Sequence, residues 1–69
     1  MPQKVRELIR LLSKAGFEEE GGKGSHRNFR HPLLAGKLTL SGKPGSDALR
    51  YQEDDVAKWI RRARDAQRS

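Results

Sequence analysis

With 69 residues, the chain is long enough for one small core only, because a domain of this size buries about 60% of the surface its unfolded chain exposes. Fifteen Lys and Arg against nine Asp and Glu give a formal charge of +6, which favours a polyanionic partner, nucleic acid foremost. The absence of cysteine excludes disulfides and thiolate metal sites, and no apolar run approaches the roughly 18 residues of a bilayer span.

Val5, Leu8, Ile9, Leu12 and Ala15 recur at spacings of three and four, so one face of a helix over about 3–15 carries an apolar stripe. Pro2 suits the first helical turn, Lys14 complements the negative end of the helix dipole, and Gly16 can take the left-handed conformation that stops a helix. Phe17 then packs back on Leu12 and opens a short strand, 17–20, made polar by three consecutive glutamates. Gly21-Gly22-Lys23-Gly24 is a turn by composition. A second strand, 25–31, ends at Pro32, which cannot donate to a ladder, and Leu33-Leu34-Ala35-Gly36 turns the chain. Lys37-Leu38-Thr39-Leu40-Ser41 alternates polar and apolar with the period of a half-buried strand. Residues 42–50 show no periodicity and read as a loop. A second helix starts near Gln52, buries Val56, Trp59, Ile60 and Ala63, and frays over its last three residues; acids in its first turn and arginines toward its end suit its dipole.

The order helix, three antiparallel strands, helix predicts an α+β domain spanning 1–69, with both helices on one sheet face and the other face open. No linker, repeat, leader or second domain is expected, and the expected location is cytoplasmic. With Phe29 turned to the helices, strand alternation sends His26, Asn28 and Arg30 to the open face, where Lys37, Thr39 and Ser41 join them in a polar, mostly cationic surface.

His26 is the candidate acid or base of that surface, since an imidazole both accepts and donates a proton near neutral pH. His31 lies five residues on, which reverses the face, so the two imidazoles diverge and no shared metal site is expected. The acidic run Glu18-Glu19-Glu20 has no ligand spacing that singles out a metal and reads as a solvated strand. Lys23, Arg27 and Arg30 surround the glycine turn as candidate phosphate contacts, beside the unobstructed backbone amides of Gly22, Gly24 and Ser25. No nucleotide cofactor is expected, because the turn lacks the Gly-Lys-Ser/Thr and the following helix of a P-loop. Trp59 and Phe29 belong to core stripes, which leaves Tyr51 as the aromatic free to stack a base. A membrane surface is not the expected partner either, since the basic run Arg61-Arg62-Ala63-Arg64 lacks a wide Trp/Phe/Leu face.

The run Val5-Arg6-Glu7-Leu8-Ile9 through Ala15-Gly16-Phe17, followed by Gly24-Ser25-His26-Arg27-Asn28-Phe29-Arg30-His31-Pro32, resembles the HicA family, small RNA-cleaving toxins of bacterial toxin–antitoxin pairs. The resemblance covers the first half of the chain well and implies a double-stranded-RNA-binding-domain-like fold. It places the family's functional histidine at His26, after Gly24-Ser25. It also implies an mRNA interferase restrained by a HicB-type antitoxin that covers the active surface. The second half departs from the family's commonest pattern, a third-strand proline followed by a histidine-containing loop and a Gly-Thr-Leu helix start, and the three glutamates replace a more apolar first strand.

The chemistry that fits needs neither metal nor cofactor. RNA carries its own nucleophile, the ribose 2′-hydroxyl, so His26 would remove its proton or protonate the departing 5′-oxygen, leaving a 2′,3′-cyclic phosphate. Lys23, Arg27 or Arg30 would stabilise charge on the phosphate, with Gly24, Ser25 and Asn28 as further contacts to RNA. Two other readings use the same face: a non-catalytic RNA-binding module, and a regulatory subunit whose open sheet receives a protein.

Overall fold

The computed structural model describes residues 3–21, 24 and 26–68; Pro2, Gly22, Lys23 and Ser25, to which the sequence assigns roles, lie outside the described residues, as does Ser69. Five elements follow in the order α1 (Val5–Lys14), β1 (Glu18–Glu20), β2 (Arg27–Arg30), β3 (Leu38–Leu40) and α2 (Arg50–Arg68). The strands form one antiparallel sheet in the order β1-β2-β3. Leu8 and Leu12 of α1 and Val56 and Ala63 of α2 share one core with Phe29, Leu38 and Leu40 of the sheet, so both helices cover the same face. The other face is open, as the order of elements predicts.

The stop of α1 follows from Gly16. Its φ of +95° is the left-handed region where a side chain is strained, and it lets Phe17 N–H reach Leu12 O at 3.0 Å and Gly16 N–H reach Ser13 O at 3.1 Å. The second bond satisfies a carbonyl the helix end would otherwise orphan, the first adds to the bond Leu12 O already accepts from Ala15 N–H, and together they deliver Phe17 into the core at the entry to β1.

The start of α1 has no side-chain cap. Backbone carbonyls of the segment before α2 take that role instead: Val5 N–H donates to Ser46 O at 2.9 Å and Arg6 N–H to Pro44 O at 3.0 Å. Lys4 and Asp47 form a backbone bridge, extended by their side chains at 2.6 Å and by Ala48 N–H to Gln3 O at 2.7 Å. Residues 42–49, a loop by composition, are therefore tied to α1 and bury Ala48 in the core.

Helix α2 begins at Arg50, two residues earlier than expected, because Gln52 caps it from within. The buried Gln52 Oε1 accepts Leu49 N–H at 2.9 Å, the reach-back half of a capping box, while its Nε2 donates to Ser41 O at 2.9 Å. One side chain thus pins the exit of β3 to the start of α2. At the other end the helix runs through Gln67 and Arg68, where fraying is expected from the sequence.

Candidate functional site

Register decides which side chains share the open face. Glu20 stands opposite Asn28 and Asn28 opposite Thr39, while Glu18 stands opposite Arg30. The alternate pairs, Glu19 with Phe29, Phe29 with Leu38 and Arg27 with Leu40, belong to the helix side. Asn28, Arg30 and Thr39 therefore lie together on the open face, where Thr39 Oγ1 donates to Asn28 Oδ1 at 2.7 Å. That bond fixes the carboxamide and leaves its NH2 group for a ligand.

The face is polar but not mostly cationic. β1 pairs with β2 along its whole length and brings Glu18 and Glu20 onto the same surface, with Glu20 Oε1 accepting from Arg30 Nη1 at 3.3 Å. Arg27 follows Phe29 to the helix side, where its Nη1 donates to Glu19 Oε2 at 3.0 Å. Each arginine of β2 is held by a carboxylate of β1, a role the sequence reading of a solvated acidic strand misses. The signal was present: consecutive short strands pair antiparallel, which makes β1 and β2 partners, and carboxylates beside guanidinium groups pair.

His26 is exposed immediately before β2, so the strand is shorter than the expected 25–31, and the imidazole sits at its entry two residues ahead of Asn28. Gly24 is exposed, with a φ of +62° and open space where a Cβ would stand, so backbone can approach a ligand closely there. Lys37 is exposed and Ser41 half-buried at the two ends of β3. Lys23 and Ser25, expected RNA contacts, lie outside the described residues.

His31 has a different environment. It is 4% exposed, its Nδ1 accepts Leu33 N–H at 3.1 Å, and its ring meets Phe17 edge-on at 5.0 Å between centroids. The imidazole orders the turn after β2 from inside the core. Trp59 is half-buried, edge-on to Phe17 at 6.4 Å and covered by the Arg62 guanidinium at 5.7 Å, whereas Tyr51 is 57% exposed. Among the described residues no group of three or more His, Asp or Glu is placed to hold a metal ion, and no helix is long and apolar enough to cross a membrane.

Fold and surface together define a small basic α+β domain that presents an exposed imidazole at the edge of an open, polar sheet. The model of the family described as HicA toxin of bacterial toxin-antitoxin matches residues 5–63, and the chain belongs to that family. No curated protein and no solved structure gives a significant match.

Proposed function

We propose that the protein is the toxin of a type II toxin–antitoxin pair and acts as a metal-independent endoribonuclease on mRNA. In this reading His26 serves as general acid or base and a HicB-type antitoxin restrains the activity. The observation that carries it is family membership over residues 5–63, with His26 exposed directly before β2.

His26 either draws the proton from a ribose 2′-hydroxyl or gives one to the departing 5′-oxygen, with solvent water handling the other proton; the 2′-oxygen bonds to the adjacent phosphorus, the bond from phosphorus to the 5′-oxygen breaks, and a 2′,3′-cyclic phosphate and a 5′-hydroxyl remain. Asn28, oriented by Thr39, donates to a phosphate or ribose oxygen. Arg30 reaches a phosphate on the open face by exchanging Glu20 for it, whereas Arg27, expected from the sequence as a second phosphate contact, is turned to the helix side with Glu19; Lys23, Gly24 and Ser25 add backbone and ammonium donors. A single acid or base contributes about 10²–10⁴-fold in rate, so positioning and electrostatics supply the rest.

The test is His26→Ala, assayed as growth arrest on induction and as cleavage of RNA by the purified protein. The variant is expected to lose arrest and to cut RNA about 10²–10⁴-fold more slowly, while melting and RNA affinity stay near wild type. Cleavage by the variant at the wild-type rate refutes the catalytic role. Cleavage by the wild type that stops in EDTA refutes the metal-free route, and RNA bound but never cut makes the domain a binding module.

A further inference from the structure

On the side away from the open sheet face, α1 and α2 run in the same direction. Gln3 N–H meets Glu53 at their N-terminal ends, and Gly16 lies beside Gln67 at their C-terminal ends. Between them runs a groove of two joined hollows. One of about 320 Å³ is lined by Leu11, Ala57, Ile60 and Arg64 among others. The next, of about 280 Å³, shares Ile60 and Arg64 and extends to Lys14 and Gly16. Leu8 and Val56 close the floor, and Leu11 is 40% exposed although it stands one turn from buried Leu8.

The rim is cationic. Lys14, Arg61 and Arg64 are exposed around Leu11 and Ile60, and among the described residues none of the three takes part in an ion pair. The one acid lining the groove among the described residues, Glu53, sits toward its N-terminal end.

We infer that this groove is a docking surface for an acidic amphipathic helix of a partner protein, with Leu11 and Ile60 as apolar contacts and Lys14, Arg61 and Arg64 as the charged rim. Two parallel helices leave between them the trough in which a third helix packs ridge into groove. Residues 53–67 span about 21 Å at 1.5 Å per residue, the length of a four-turn helix. An apolar floor suits leucine-type side chains rather than a phosphate backbone, and no aromatic ring lines the groove to stack a base. A second copy of this chain would bring +6 against +6. The proposal takes from the family only that a partner protein exists, and it stands whether or not His26 cleaves RNA.

The probe is a synthetic helical peptide with leucines on one face and glutamates elsewhere, titrated into isotope-labelled protein and followed by amide chemical shifts and fluorescence anisotropy. Binding is expected to move the amides of Leu11, Ile60 and Arg64. The double variant Arg61→Glu/Arg64→Glu, changed only at exposed positions, should weaken it more than about tenfold, and Leu11→Ser should weaken it while melting stays near wild type. Lys37→Glu, a charge reversal on the open sheet face, should leave it unchanged. No binding up to about 1 mM peptide, equal binding of the lysine counterpart, or indifference to the double reversal overturns the proposal. So does a short single-stranded RNA that moves these amides when the acidic peptide does not.

Discussion

His31→Ala tests whether the second imidazole is a core residue. The substitution removes the acceptor for Leu33 N–H, a hydrogen bond of about 1 kcal/mol, and the edge contact with Phe17, about 0.5–1.5 kcal/mol. The void left at a site now 4% exposed adds about 1 kcal/mol, for a total near 3 kcal/mol. At about 0.05–0.15 kcal/mol per residue a 69-residue domain holds roughly 3–10 kcal/mol in all, so the loss is a large share of it. Thermal unfolding followed by circular dichroism should show the midpoint falling by about 12–24 °C. His31→Phe keeps a ring against Phe17 but leaves Leu33 N–H without its acceptor, and should fall about half as far. An Ala variant that melts within about 2 °C of wild type refutes the reasoning. An Ala variant of wild-type stability that no longer cleaves RNA would place His31 in the chemistry beside His26.

Gln52→Ala removes a buried side chain that satisfies both Leu49 N–H and Ser41 O, and should cost about 2–3 kcal/mol by denaturant titration; Gln52→Glu, which sets a carboxylate against the Ser41 carbonyl, should cost at least as much. Gly16→Ala places a Cβ in a left-handed conformation 3.2 Å from His31 Nε2, and a loss of about 1–2 kcal/mol is expected in the same assay. Glu19→Gln with Glu20→Gln releases Arg27 and Arg30. Because both ion pairs are more than a third exposed, stability should change by less than about 1 kcal/mol, while RNA affinity at low salt rises. Affinity for single-stranded RNA should fall with salt at a slope of about −0.7 per phosphate neutralised, and a steeper slope in the double Gln variant would mark the freed Arg30, the arginine of the open face, as a phosphate contact.

The elements carried by periodicity were legible in the sequence. The stripe of α1, the left-handed stop at Gly16 and the alternation of Leu38 and Leu40 all rest on local rules, and each reappears in the structure. The divergence of the two histidines follows from pleat parity in the same way: His31 turns inward two residues after Phe29, and His26 stays exposed ahead of the strand. Interactions between distant segments were not legible. Nothing local shows that carbonyls at 44 and 46 cap α1, or that Gln52 reaches Ser41, because both depend on where two remote segments meet. The pairing of Arg27 and Arg30 with β1 falls between these cases, since it needs the strand register as well as the residue types.

The distribution of charge bears most directly on function. The formal +6 suggests a basic sheet face, yet the acids of β1 hold the two arginines of β2, while among the described residues the exposed Lys14, Arg61 and Arg64 of the helices form no ion pair. A phosphate arriving at the open face must compete with Glu20 for Arg30, while Glu18 on the same surface repels it. If the proposed nuclease reading holds, the standing attraction of that face for RNA is thus moderate, and the geometry around His26 would have to come from donors held by neutral bonds, above all Asn28 fixed by Thr39. The strong unpaired field points the other way, across the groove between α1 and α2, where a protein partner carrying acid would meet it. Under the two proposals together, one small domain would separate a surface for RNA from a surface for a protein partner, because β1 lowers the charge of the first and leaves the second intact.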